Sequence, residues 1–207
     1  MKALSIAMIL AVVSTPALAR NADHHKHVRH HHSHRHVVVA RDAAPGQGAY
    51  ARLADVLRGD HIASLRLCYR HPNVLPECAL DILAGIAYLQ QGRVQRVVLV
   101  GHSFGGAVVI TAGAVHDRVA GVVALASQTY GARLAGQLAP RPLLVVHGKA
   151  DTRLPYTCGV QIYDWAQEPK QLVLYEGAEH RLDECAEDLD QLLTQWIPAT
   201  LRASVSP

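Results

Sequence analysis

The sequence predicts an α/β protein with a mostly parallel sheet of roughly six strands that helices cover on both faces. Its strand-like segments, such as 97–100 and 142–148, are continuous aliphatic and β-branched runs without the polar alternation of a half-exposed sheet. Segments with helical spacing separate these runs, which is the arrangement of β-α-β units. One strand-to-helix junction also carries the pattern Gly-x-Ser-x-Gly at 101–105.

The first segment, residues 1–19, has the pattern of a secretory signal peptide. Lys2 supplies the positive charge, residues 4–13 are apolar but too short to span a bilayer, and Ala17-Leu18-Ala19 fits a cleavage site. The alternative is an uncleaved anchor helix. Because no transmembrane segment would remain after cleavage, we expect a secreted or periplasmic protein.

Residues 20–36 form a histidine-rich arm without apolar periodicity, so we expect this arm to be disordered. Imidazole groups bind transition metals, which makes metal capture one hypothesis. Attraction to anionic surfaces and a tolerated low-complexity leader are the alternatives. No aromatic residues that could stack on bases interleave the basic ones, so we predict no nucleic-acid partner. The candidate metal ligands are His24, His25, His27, His30, His31, His32, His34 and His36.

Residues 37–198 are long enough for one domain with a hydrophobic core, and 199–207 are predicted to be a flexible tail. Only a short segment that includes residues 132–139 separates the strands predicted at 119–126 and 142–148, so we expect a minimal lid or none. Strands are predicted at 37–40, 62–69, 94–100, 119–126, 142–148 and 171–175. Helices are predicted at 49–57, 75–89, 158–166 and 182–196, and a further helix directly follows the turn at 101–105.

The turn at Gly101-His102-Ser103-Phe104-Gly105 is typical of a nucleophile on a sharp strand-to-helix corner. Glycines allow the strand and the helix to pass closely, and the corner exposes the Ser103 hydroxyl. The first N–H groups of the helix then face whatever the serine attacks. The alternative is an ordinary glycine-containing turn that happens to hold a serine.

An acid and a base follow the serine, in the chain order Ser103, Asp151 and His180. Asp151 comes just after one predicted strand and His180 just after the next, so both are expected at the same sheet edge as Ser103. His180 would take the serine proton, and Asp151 would fix the imidazole tautomer. Asp183 and Asp188 are rival acids, but they lie beyond His180 in the predicted last helix.

Two other histidines lie close to these motifs. His102 directly precedes the serine, and we expect it to pack rather than to serve as a second base. His147 stands at the end of a predicted strand, where we expect a structural role at the edge of the site.

Three ordered motifs resemble the α/β-hydrolase superfamily: Gly-His-Ser-Phe-Gly-Gly at 101–106, His-Gly-Lys-Ala-Asp at 147–151 and Gly-Ala-Glu-His at 177–180. The chain is similar to the small, cap-poor branch of dienelactone hydrolase-like serine esterases, over roughly residues 37–198. The Phe104 N–H would donate to the oxyanion. The loop that supplies the second donor usually begins His-Gly in this family, whereas Arg41-Asp42 stand here, which leaves Ala43 or Ala44 by position.

Four cysteines in an exported chain favour disulfides. We predict the pairs Cys68–Cys78 and Cys158–Cys185, because each would join neighbouring elements near the catalytic edge. The alternative is four free buried thiols.

The sequence therefore predicts an exported serine hydrolase that cleaves carboxylic esters through an acyl-enzyme and needs no cofactor. Its substrate would be a small-molecule or polymer ester. The alternatives are a lactone or peptide hydrolase, and a metal-binding module that uses the histidine-rich arm on a hydrolase scaffold.

Overall fold

The structure is a computed structural model that describes residues 5–12 and 44–203. Strands and helices alternate through most of this part of the chain, with two short 3₁₀ turns at Ala132–Gln137 and Asp183–Cys185. The elements are β1 (Ser5–Val12), α1 (Pro45–Arg58), β2 (Ile62–Cys68), α2 (Leu75–Gln91), β3 (Val94–His102), α3 (Phe104–Val115), β4 (Val119–Leu125), β5 (Leu143–Gly148), α4 (Thr157–Trp165), β6 (Lys170–Tyr175) and α5 (Ala186–Arg202).

The six strands form one sheet in the order β2-β1-β3-β4-β5-β6, and every neighbouring pair is parallel. All carboxyl ends therefore lie along the same edge. This arrangement confirms the predicted parallel sheet and its expected number of strands.

The strand between β2 and β3 differs from the expected one. We expected residues 37–40 to form the first strand and interpreted residues 4–13 as the apolar part of a leader. In the structure Ser5–Val12 pairs with β2 on one side and with β3 on the other. Residues 37–40, like the histidine-rich arm, lie outside the described residues, so the assignment of that strand and of the leader stays a prediction.

The central strands β3, β4 and β5 are buried on both faces, and this explains why they lack polar alternation. Leu99 of β3 belongs to a cluster under α2, α3 and α4, whereas its neighbours Val98 and Val100 belong to a cluster under α1 and α5. All three side chains are fully buried. Burial of aliphatic side chains on both faces is the main stabilising contribution to such a sheet.

The start of α1 agrees with the prediction, whereas both ends of α5 differ from it. The backbone at Gly46, Gln47 and Gly48 is left-handed, so regular α-helix begins near Ala49, as predicted for α1. The last helix starts after a 3₁₀ turn and continues to Arg202, into the segment predicted to be a flexible tail. It continues because Leu201 is completely buried in the core.

The predicted disulfides Cys68–Cys78 and Cys158–Cys185 are wrong, since neither pair is bonded in the structure. Two of the thiols are turned toward carbonyl groups close in sequence. The Cys78 Sγ–H donates to the carbonyl of His71 at 3.3 Å, and that of Cys185 to the carbonyl of Leu182 at 3.5 Å. Local hydrogen bonds thus satisfy the two buried thiols without a crosslink.

Within residues 44–203 and the strand at 5–12, no helix has the length and apolar character that crossing a membrane requires.

Candidate active site

Ser103 stands at the corner between β3 and α3 with a strained backbone. Its φ of 57° and ψ of −122° place a residue with a side chain in a region that such residues rarely occupy. Its N–H donates to the carbonyl of Leu125 at 2.8 Å, which anchors the corner to β4. A Cβ at Gly101 would lie 2.1 Å from the carbonyl oxygen of Gly105, so the close approach of strand and helix requires glycine at 101.

The loops after β5 and β6 are joined at the same edge of the sheet. The N–H of Ala150 donates to the carbonyl of Ala178 at 3.0 Å, and the N–H of Lys149 to that of Tyr175 at 2.9 Å. These bonds hold the loop that carries Asp151 against the loop that carries His180.

The structure brings Ser103, His180 and Asp151 into one chain of hydrogen bonds. The Ser103 Oγ lies 3.0 Å from the His180 Nε2, and the His180 Nδ1 lies 2.8 Å from the Asp151 Oδ2. The Asp151 side chain is fully buried and that of His180 is 8% exposed. Both distances are within hydrogen-bond range, so the serine proton has a direct path to the imidazole.

Asp151 is ionised although it is buried. Burial opposes its ionisation, but N–H groups of Leu154 and Arg153 donate to Oδ1, and His180 donates to Oδ2. Together these donors hold the pKa of the Asp151 carboxyl below its usual value. The charge therefore remains available to orient and stabilise a protonated His180.

His102 supports the base from the other side. Its Nε2–H donates to the backbone carbonyl of His180 at 2.8 Å, and the two rings lie 4.8 Å apart. Burial lowers the pKa of His102 from 6.5 to about 4, so this imidazole is neutral near pH 7. The expectation that His102 is not a second base agrees with this arrangement.

The rival acid Asp183 is placed away from the base. Its carboxylate accepts hydrogen bonds from the Gln47 N–H at 2.7 Å and from the Arg181 Nε at 3.0 Å. Asp188 lies in the first turn of α5. Asp151 is the carboxylate that contacts His180.

Of the backbone N–H groups predicted to bind an oxyanion, those of Phe104 and Ala44 lie within the described residues. Phe104 is the first residue of α3, so its N–H has no acceptor within the helix and is free for a ligand at this corner. Ala43 lies outside the described residues. Ala44 is buried, and its carbonyl accepts a hydrogen bond from Arg181 at 3.3 Å.

A cleft of about 620 Å³ opens beside the serine. Ser103, His180 and Phe104 line its floor, and Gln128 and Arg153 contribute to its polar walls. Only the short 3₁₀ turn Ala132–Gln137 is inserted between β4 and β5, so no large lid covers the cleft within the described residues.

Within residues 44–203, no three or more His, Cys, Asp or Glu side chains are grouped so that they could hold a metal ion. The eight candidate ligands of the histidine-rich arm lie outside the described residues.

Sequence reasoning gave His147 only a structural role at the edge of the site. The expectation of a structural role at the site edge understates its position, because the side chain is fully buried directly against Asp151, with its Nε2 3.1 Å from Oδ2. The available signal was the spacing His147-x-x-x-Asp151 across the end of a strand.

Known structures of similar shape place this geometry in a recognised fold. Est1E from Butyrivibrio proteoclasticus superimposes with a TM-score of 0.70 at 15% identity, covering 96% of this chain and 88% of that one. A dienelactone hydrolase from Anabaena variabilis gives 0.70 at 16% identity, with the same coverage. The esterase domain of a Rhodothermus marinus protein gives 0.66 at 17% identity, covering 94% and 86%. The chain has the α/β-hydrolase fold.

The curated relatives cover less of the chain. The uncharacterized protein YfhR of Escherichia coli, from strain K12 and from O157:H7, is 31% identical over 109 residues, which is 42% of this chain and 38% of the relative. The chain thus aligns with well under half of these relatives' length. No protein-family model matches the chain.

The lowered pKa of His102 predicts acid sensitivity of the fold. As the pH falls from 6.5 toward 4, the unfolded chain takes up a proton at residue 102 that the folded chain does not, so stability is lost in that window. We expect His102→Gln, which retains a donor, to reduce the fall in the free energy of unfolding between pH 6.5 and 4 by about 1–3 kcal/mol. Urea unfolding at stepped pH measures this fall. An equal fall in the free energy of unfolding between pH 6.5 and 4 in the variant and the parent protein would contradict the lowered pKa of His102.

Proposed function

We propose that the protein is a serine hydrolase that cleaves carboxylic esters through an acyl-enzyme. The observation that carries the proposal is the continuous hydrogen-bond chain from Ser103 through His180 to the buried carboxylate of Asp151. A serine hydroxyl is a weak nucleophile until a base takes its proton, and this chain supplies a base and an anion that stabilises the base once it is charged.

In the acylation step the Ser103 Oγ attacks the ester carbonyl carbon while His180 Nε2 takes the hydroxyl proton. The carbonyl oxygen becomes an oxyanion that the Phe104 N–H, at the N-terminus of α3, is placed to stabilise. When the tetrahedral intermediate collapses, the bond to the alkoxy group breaks, and the imidazolium of His180 gives its proton to the departing alcohol.

Deacylation repeats these transfers with water as the nucleophile. His180 takes a proton from the water, which attacks the acyl carbon and forms a second tetrahedral intermediate. Its collapse releases the carboxylic acid, and the proton returns to Ser103. Asp151 remains ionised throughout and holds the Nδ1–H of His180.

The ester class is supported by the names of similar structures and by the open cleft. Two of the three structures compared above are named as an esterase or as Est1E, and the third as a dienelactone hydrolase. A cleft of about 620 Å³ without a large lid among the described residues suits a small acyl group or an exposed ester of a polymer. Lactone and peptide hydrolysis use the same triad chemistry and remain the alternatives.

Hydrolysis of 4-nitrophenyl acetate tests the proposal. We expect the parent protein to turn over the ester, and Ser103→Ala and His180→Ala each to lower kcat roughly 1,000-fold or more. Asp151→Asn should lower kcat by a comparable or smaller factor, because it fixes the wrong tautomer of His180. Because the three groups act as a unit, the double variant of Ser103 and His180 should lose no more than either single variant.

Ser127→Ala is the matched control, since Ser127 is another buried serine at the end of a neighbouring strand, and its hydroxyl donates to the adjacent carbonyl of Gln128. We expect this variant to retain activity. Equal activity of the Ser103 variant and the parent protein would overturn the proposal, and hydrolysis of a matched 4-nitroanilide at a similar rate would favour the peptide alternative.

We also propose that the enzyme is exported. The support is the leader pattern of residues 1–19. Cleavage of this leader would remove Ser5–Val12, which pairs with β2 and β3 in the full chain. An exported chain must complete the sheet with another segment, for which residues 37–40 are the predicted strand. We expect N-terminal sequencing of active protein from the periplasm or medium to begin at Arg20. Active protein that is found only in the cytoplasm with residues 1–19 intact would contradict export.

A further inference from the structure

His147 is a buried titratable group that the proposed mechanism does not use. It is the penultimate residue of β5, and its side chain has no exposed surface. An imidazole is a costly side chain to bury unless its ring nitrogens find partners. Its surroundings therefore indicate what it does.

The two contacts of the ring define its protonation state. The His147 Nε2 lies 3.1 Å from the Asp151 Oδ2 and 3.0 Å from the backbone carbonyl of Leu154. Both oxygens accept, and a carbonyl can only accept, so Nε2 carries the hydrogen. Burial also lowers the pKa of His147, so Nδ1 is bare and the ring is a neutral donor.

The other side of the ring is closed. Nδ1 has no hydrogen-bond partner among the described residues, so a second proton there would find no acceptor. Gly159 of α4 packs against this side, and a Cβ at that position would lie 2.9 Å from Nδ1. α4 therefore packs closely against the side of the His147 ring that faces away from Asp151.

The two acceptors of His147 belong to the two ends of one tight loop. The Leu154 N–H donates to the Asp151 Oδ1 at 2.8 Å, while the Leu154 carbonyl accepts from His147. The same Nε2–H also reaches Oδ2, the oxygen that accepts from His180. One N–H group therefore ties the loop closed and fixes the plane of the carboxylate.

We propose that His147 is a positioning residue of the active site, whose Nε2–H holds the Asp151 carboxylate and the Leu154 carbonyl so that Oδ2 faces His180. This inference rests on the proposed hydrolase function. His147 exchanges no proton with the substrate and acts only through Asp151.

The shared oxygen gives the arrangement an electrostatic consequence. A donor on Oδ2 draws part of the carboxylate charge away from His180, so removal of His147 favours the protonated form of His180. The activity should then be lost at a higher pH on acidification. His102 and Cys158 are titratable groups that interact with Asp151 or His180, and Arg181 interacts with His102. The charged side chains of Arg153, Glu179 and Glu184 line the same cleft.

His102 and Cys158 keep their charge state between pH 5 and 8. The pKa of His102 is lowered to about 4 by burial, and burial raises the pKa of the Cys158 thiol. Arg181 is a permanent cation that pairs with Asp183. A change in the acid limb of kcat/KM between pH 5 and 8 is therefore not caused by titration of His102 or of Cys158.

Three substitutions of His147 by side chains of similar size distinguish the contribution of the Nε2–H donor from that of packing. His147→Leu fills the space without a donor, His147→Asn carries an amide that is too short to reach Oδ2, and His147→Gln can place an amide N–H near the position of Nε2. With 4-nitrophenyl acetate at pH 7, we expect the His147→Leu and His147→Asn variants to lower kcat about 10-fold and to change KM less than about twofold. In these two variants we expect the acid limb of the kcat/KM profile to shift to higher pH by about half a unit. We expect His147→Gln to restore both kcat and the position of the acid limb.

Gly159→Ala is a variant at a second position, because the added Cβ displaces the imidazole ring while His147 itself is retained. It should move the acid limb in the same direction as His147→Leu, even if the His147 variants fail to fold. Circular dichroism and thermal melting of every variant establish that it is folded.

Two results would overturn the positioning role. One is a folded His147→Leu or Gly159→Ala protein with the parent's kcat and pH profile. The other is an equal loss in the Leu, Asn and Gln variants, which would show that the ring only packs. If the parent protein itself fails to hydrolyse the ester, the proposed function fails, whereas parent activity with unchanged variants rejects the role of His147 alone.

Discussion

The charge of the buried Asp151 carboxylate is the constraint on which the site depends. In the proposed mechanism, a neutral Asp151 could not stabilise the imidazolium that forms when His180 takes the serine proton. Burial alone would favour the neutral form, and the donors from Arg153, Leu154, His180 and His147 oppose it. The loop after β5 is therefore closed around the carboxylate, and its geometry sets the orientation of the base.

The parallel sheet makes this arrangement achievable with residues that are far apart in sequence. β3, β5 and β6 end at the same edge, so the nucleophile, the acid and the base each follow a strand and need only short loops to meet. Backbone hydrogen bonds between the loops after β5 and β6 then fix the acid relative to the base. The fold by itself does not define the substrate, since this fold carries many chemistries.

Local patterns were the part of the structure that the sequence predicted well. The elbow around Ser103 depends on close packing at Gly101, which is readable from neighbouring residues, and the strand ends before Asp151 and His180 follow from runs of aliphatic residues. The role of His147 was missed because its spacing to Asp151 becomes meaningful only when burial and the Leu154 carbonyl are known.

The incorrect or unresolved predictions share a physical cause. An apolar stretch such as Ser5–Val12 has the composition of both a leader and a buried strand, so its sequence does not choose between them. The even number of cysteines suggested disulfides, but the thiols of Cys78 and Cys185 meet backbone carbonyls whose position only tertiary structure defines. The continuation of α5 likewise depends on the burial of Leu201.

Covalent labelling by a fluorophosphonate probe tests most directly whether the hydrogen-bond chain activates the serine. Peptide mapping of the labelled protein should find the adduct on Ser103, with no labelling of Ser103→Ala and strongly reduced labelling of His180→Ala. A folded parent protein that stays unlabelled, or an adduct on another residue, would contradict the account.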